Sequence, residues 1–188
     1  MDLTVWVVLG LLALLVVVGV ASYNRFVAQV QAVRTAWANI DTEIRRRSDL
    51  IPNLVETVKG YASHEREVFE NVTKARAAVG SASTPAEQMA AEGPLMMALG
   101  RLLAVAEAYP ELKANANFLA LQQELANTED RLQTARRAYN ASVLDLNQRI
   151  RQFPSNLIAR MFGFSEAEYF EVDAATREAG PPKVDFTP

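Results

Sequence analysis

The sequence predicts an all-α protein, with a single N-terminal transmembrane helix continuing into a long-helix antiparallel bundle of coiled-coil character. Three observations carry this. Leu3 to Ala21 is a run of 19 residues whose only polar side chain is Thr4. From Tyr23 to Ile51 there is neither glycine nor proline to stop a helix. Beyond the run, apolar residues recur at spacings that alternate between four and three, and no segment alternates with period two long enough to make a strand.

The first element, residues 1–22, has the length of a membrane anchor, since a helix needs ~20 residues to cross a bilayer. Trp6 and Tyr23 bracket it where amphipathic rings favour the interfaces. Gly19-Val20-Ala21 loosely resembles a signal-peptide cleavage site, but the segment opens Met1-Asp2 without a positive n-region and is longer than a signal core. The expectation is an uncleaved, single-pass anchor in the cytoplasmic (inner) membrane. The nearest basic residues, Arg25 and Arg34, both follow the run, which places the N-terminus outside and the bundle in the cytoplasm. That bias is two arginines deep, so a periplasmic bundle stays open.

The second element is a rod. Phe26, Val30, Val33, Trp37, Ile40 and Ile44 begin a seven-residue repeat that continues through Arg47, Ile51, Leu54, Val58, Tyr61, Glu65, Val68, Val72, Ala75 and Val79. As one helix, Tyr23 to Val79 would extend roughly 85 Å. Its apolar stripe is broadened between Leu50 and Phe69 by Val55, as in a globular bundle, and is narrow between Phe26 and Ile44, as in a coiled-coil stalk. The narrow part predicts a homo-oligomer seam; the competing expectation is that it packs on the chain's own later helices. Pro52 in mid-repeat, preceded by Ser48 and Asp49, predicts a helix hinge or restart at Asp49 to Pro52.

Gly80-Ser81-Ala82-Ser83 ends the rod, and Thr84-Pro85-Ala86-Glu87 supplies an N-cap, a proline at the first helical position and a carboxylate at the third. Gly93-Pro94 is a candidate break in this helix, and Tyr109-Pro110 is its end. Met96 and Met97 beside Leu95 and Leu99 read as packing. Lys113 to Phe153 again lacks glycine and proline and carries a seam from Phe118 and Leu121 through Tyr139 and Leu146 to Phe153, a helix of about 60 Å. A short helix from Ser155 to Phe162 should end at Gly163. Ser165 to Glu168 is a further capping-box candidate, and residues 173–188 read as a disordered tail.

Tyr23-Asn24-Arg25-Phe26, the stretch from Arg47 to Glu65 around Asp49-Leu50-Ile51-Pro52-Asn53-Leu54-Val55, and Ala75-Arg76-Ala77 form an ordered set of motifs. The set continues in Glu107-Ala108-Tyr109-Pro110-Glu111-Leu112-Lys113, in Ala135-Arg136-Arg137-Ala138-Tyr139-Asn140, and from Asn147 to Phe153-Pro154. This order resembles the LemA family of bacterial membrane-anchored helical proteins, over roughly Tyr23 to Phe170. The resemblance implies a single membrane helix and an antiparallel bundle over residues 23–172. It brings no established enzymatic activity and no known catalytic residues, and it links relatives to membrane organisation, including magnetosome formation.

Chemistry-bearing residues are sparse. There is no cysteine, which excludes disulfides, thiolate catalysis and Cys-ligated metals, and the lone His64 excludes multi-histidine metal sites and reads as a helix-surface residue. A net charge of −3 and the absence of a basic reader motif argue against nucleic acid. Glu65/Glu67 and Glu129/Asp130 read as solvated faces, and Arg45-Arg46-Arg47 lies ~35 Å beyond the anchor, well past the ~10 Å screening length for headgroup contact. No cofactor, metal, small-molecule substrate or enzymatic activity is expected. The partners expected are the lipid bilayer, further copies of the chain and an unidentified protein.

Two charges interrupt the seam. Arg47 and Glu65 are about 27 Å apart along one helix and cannot neutralise each other. Glu129, Arg136, Asn140 and Asn147 stack on one side of the third long helix. The expectation is that Arg47 meets a carboxylate and Glu65 an arginine or asparagine across the bundle, fixing register; the alternative is that both snorkel into solvent. The preferred function is thus a non-enzymatic, membrane-anchored scaffold that self-associates, with a monomeric tethered binding module as the alternative.

Overall fold

The computed structural model describes residues 2–170. Among them the chain forms helices alone: α1 (Leu3–Lys59), α2 (Arg66–Ser81), α3 (Pro85–Glu107), α4 (Pro110–Lys113), α5 (Ala116–Arg151) and α6 (Ser155–Phe162). The all-α expectation holds. The tail at 173–188 lies outside the described residues.

Helix α1 runs without interruption from the apolar run into the folded part, as the absence of glycine and proline dictates. It does not run on to Val79. Gly60, which costs about 1 kcal/mol against alanine inside a helix, follows the last helical residue Lys59. A turn then buries Ala62 and exposes His64 before α2 begins with Glu65 as its N-cap. Val72, Ala75 and Val79 are buried as the sequence pattern requires, but on a separate helix.

Pro52 sits inside α1, so the restart expected at Asp49 to Pro52 is not there. The proline leaves the Ser48 carbonyl without its i+4 amide. Arg76 of α2 fills that place, its Nε donating to Ser48 O at 2.8 Å and to Ser48 Oγ at 3.0 Å. A side chain from the next helix thereby keeps the helix whole.

The capping box opening α3 is formed as expected: the Glu87 amide donates to Thr84 Oγ1 at 3.2 Å, and Glu87 Oε2 accepts from the Thr84 amide at 3.3 Å. Four donors from Ser83 and Thr84, with the Ser83 amide the strongest, hold the Glu87 carboxyl below its ordinary range. Helix α3 continues through Pro94, so Gly93-Pro94 does not divide it. Gly163 closes α6 in the left-handed conformation, φ 72°, where a side chain would be strained.

The helices sort into two compact units. The first takes the chain up to Asp41 together with Gln133–Tyr169; the second takes Thr42–Leu132. In the first, α1 and α5 lie antiparallel: Gln29 Nε2 donates to Asp145 O at 3.1 Å, and Trp37 meets Tyr139 at 5.7 Å between ring centroids. Phe26, Leu146 and Ala159 form its core, with Val30, Val33, Ile150, Ile158, Phe164 and Ala167 packed around them. The second unit buries Ile51, Leu54 and Val58 of α1, Val72 and Val79 of α2, Leu95 and Leu102 of α3, and Phe118 and Leu132 of α5. In it α2 packs along α3.

Candidate functional site

The N-terminal part of α1 is the chain's most distinctive surface. Its most apolar window of 18 residues has a mean hydropathy of 2.9, and none of it is buried. Among the described residues α3 is also long and apolar enough to cross a membrane, but a third of its window is buried (33%) and it carries Glu92 inside the second unit. It reads as a core helix. Among the described residues, α1 is the one helix that offers an unburied span by length and composition.

Just past this run the chain begins to pack. Tyr23 meets Phe162 at 4.8 Å and Phe164 at 5.7 Å between ring centroids, and Phe26 stacks on Phe164 at 4.8 Å. Burying Phe26 completely is worth about 1.5–3 kcal/mol. The segment after α6 is held by Asn147, a wholly helical residue whose amide acts as a backbone surrogate. Its Nδ2 donates to Ala167 O at 2.9 Å, and its Oδ1 accepts from the Ala167 amide at 2.9 Å. Tyr139 Oη donates to Glu168 O at 2.8 Å; burial pushes its phenol pKa up, with the Glu168 carboxylate adding to the rise. Arg151 and Glu166 pair on the surface, lowering the Glu166 carboxyl and raising the Arg151 guanidinium. This extended path replaces the capped helix start expected at Ser165 to Glu168.

The second unit is built around a buried cation. Arg47, 1% exposed, forms a two-pronged pair with Glu92: Nη1 to Oε2 at 2.9 Å and Nη2 to Oε1. Glu129 Oε2 also accepts from Arg47 Nη1 at 3.2 Å, and Gln88 Nε2 donates to Glu92 Oε1 at 3.3 Å. Three helices thus meet at one guanidinium. Beside it lies a groove of about 330 Å³, lined by Met96, Leu99, Gly100 and Leu103 of α3 and by Gln122, Leu125 and Ala126 of α5. Arg46, one residue earlier, faces outward and pairs with Glu124 at 2.7 Å. No cluster of three metal-ligating side chains occurs among the described residues.

The LemA family model matches residues 36–186. The chain belongs to the LemA family. Among its relatives, the magnetosome protein MamQ 2 of Paramagnetospirillum magneticum is 29% identical, over 79% of this chain and 64% of its own length. The magnetosome protein MamQ of Magnetospirillum gryphiswaldense is 27% identical over the same shares. Protein LemA of Metamycoplasma hominis is 24% identical, over 81% of this chain and 74% of its own. The chain therefore spans just under two thirds of the length of its MamQ relatives.

In this LemA-family chain the residues singled out by sequence part company. Arg47 and Glu129 come together, and the partner that sequence reasoning missed is Glu92. Its signal was present: Glu92 is the lone charge between Glu87 and Arg101. Glu65 does not share the cluster, because the turn at Gly60 removes it from the helix of Arg47; it is the half-buried N-cap of α2. Asn147 is buried but serves Ala167, while Arg136 and Asn140 are half-buried on α5 within the first unit. Of the expected oligomer seam, Phe26, Ile40 and Ile44 are buried inside the chain, and Val30, Val33 and Trp37 are partly buried. Half of the seam is thus used inside the chain. Met96 and Met97, expected as packing, are exposed, as is Phe153, expected in the α5 seam.

Proposed function

We propose that this is a non-enzymatic, membrane-tethered helical protein: α1 anchors it in the cytoplasmic membrane as a single span, and the helices carried beyond the anchor are presented to a protein partner at the bilayer. The observation that carries this reading is the unburied apolar run continuing, within one helix, into the buried Phe26 core. Membership of the LemA family and similarity to proteins named for the magnetosome support membrane association. The burial of Phe26, Ile40 and Ile44 within the chain favours presentation to a partner over self-assembly through Phe26 to Ile44. The basic residues after the run support an outside N-terminus.

Purification of the full chain from native membranes tests this, with mass measurement and identification of whatever co-purifies. Retention in the membrane through an alkaline carbonate wash, with a partner at defined stoichiometry, is the expected result. Release by the wash, or a mature chain starting near Ser22, would overturn the tether. A pure homo-oligomer would return the reading to a self-associating scaffold.

A further inference from the structure

Helix α6 is amphipathic in an unusual place. Its inner side, Ile158 and Ala159, packs against the Phe26 and Leu146 core, while Leu157 (53% exposed), Met161 (72%) and Phe162 (55%) stay open, joined by Phe153 (76%) just before the helix. Four large apolar side chains are thus exposed within ten residues, next to the end of the unburied apolar run of α1. Gly163 turns the chain, the Phe164 amide caps α6 by bonding back to Ala159 O at 2.9 Å, and the Phe164 ring stacked on Phe26 ties this end of α6 to α1.

The depth of α6 follows from its contact with Tyr23. A run of 19 residues spans about 28 Å, close to the hydrocarbon thickness of a bilayer, so Tyr23 stands at the boundary. Phe162 touches that ring at 4.8 Å. Arginines surround the same end: Arg160 is exposed on α6, and Arg25 lies near enough to Arg149 for its charge, after burial, to depress the Arg149 guanidinium, with Asp145 opposing. Basic side chains flanking an apolar face suit a surface carrying anionic headgroups.

We propose that α6 is an interfacial membrane-contact helix, its outer face of Leu157 and Met161, flanked by the exposed rings of Phe153 and Phe162, seated at the headgroup boundary of the same bilayer that α1 crosses. This rests on the reading of Leu3 to Ala21 as a span. It gives the protein a second lipid contact and fixes the first unit against the membrane surface.

The natural absence of cysteine permits single-site labelling of the full chain. Nitroxides placed by Leu157→Cys, Met161→Cys, Leu12→Cys and Ala138→Cys are compared in phosphatidylcholine–phosphatidylglycerol vesicles, reading collisions with oxygen and with a water-soluble nickel chelate. Ala138 is an exposed α5 position beside Tyr139, level with Trp37 and away from Tyr23. All four sites are exposed, so helical content by circular dichroism should be unchanged. The expected result is an oxygen-to-nickel ratio at Leu157 and Met161 several-fold above that at Ala138, and below that at Leu12. If Leu157 and Met161 match Ala138 while Leu12 reads lipid, the span stands and the α6 proposal falls. Shielding of both sites from both reagents, with dipolar broadening between labels, would assign the face to a second copy and overturn the proposal. An aqueous Leu12 would sink the span and this proposal together.

Discussion

At the residue scale, Arg47 concentrates the largest single stake in the molecule. A guanidinium this deeply buried is tolerable because two carboxylates meet it, and removing it strands Glu92 inside the second unit. Arg47→Ala should lower stability by about 3–5 kcal/mol in thermal unfolding of the detergent-solubilised chain. Replacing Arg47 by Met and Glu92 by Leu together should cost well below the sum of the single changes, since no unpaired charge is left behind. Strict additivity would show that the pair is not coupled. Glu87 provides the contrasting case of an exposed carboxylate. Its carboxyl is depressed in the folded state by Ser83 and Thr84 donors, so its contribution is present above the ordinary value of 4.5 and fades as pH falls through the folded value. Glu87→Gln should therefore separate from wild type in melting temperature at pH 7, and the gap should narrow well below pH 4.5. Arg47 as an interrupting charge was legible from the heptad pattern, and so was Glu129 as a partner. Glu92 stood out as a lone charge, but its pairing with Arg47 was not legible, because that requires knowing that α3 returns alongside α1, and periodicity carries no information on which helix comes back where.

At the element scale, the unbroken start of α1, the capped start of α3 and the end of α6 were readable because their signals are local: an apolar run, a capping box, a terminal glycine. What misled was Pro52. A proline inside a regular repeat signals a break when the freed carbonyl has only water to turn to, and here Arg76 reaches it from 28 positions along the chain. That compensation can be measured. Arg76→Ala should cost about 1–3 kcal/mol for a half-buried orphaned carbonyl, and distinctly less in a Pro52→Ala background, where an alanine amide again serves Ser48. Equal costs in both backgrounds would show that Arg76 acts elsewhere. The expected rod to Val79 failed for the complementary reason. The heptad phase happens to persist across Gly60 to Glu65, so the pattern could not reveal that the chain turns there. Asn147 illustrates a third kind of hidden information, since an asparagine serving as backbone surrogate looks like any other polar interruption of a seam. Asn147→Ala should accelerate amide hydrogen exchange at Ala167 while leaving the amides of α5 as slow as before.

At the scale of the whole molecule, Phe26, Ile40 and Ile44 of the apolar seam are spent on folding. Ile40 is wholly buried, so Ile40→Glu should unfold or destabilise the chain by about 2–5 kcal/mol rather than dissociate an intact assembly. A variant that stays fully folded and changes only its mass in detergent would restore the intermolecular reading. Helix α1 has one more consequence. Because Leu3 to Phe26 is one unbroken stretch of α1, the first unit has no swivel: under the proposed tether, the azimuth at which it meets the lipid is geared to the span's own rotation. Each residue inserted between Ala21 and Tyr23 should turn the unit by about 100° and raise it 1.5 Å, carrying α6 around the helix axis like a hand on a dial. One inserted alanine would swing its apolar face away from where it now points. Seven would bring it back within about 20°, though some 10 Å too high, so azimuth and height become separately adjustable coordinates of a single rigid shaft.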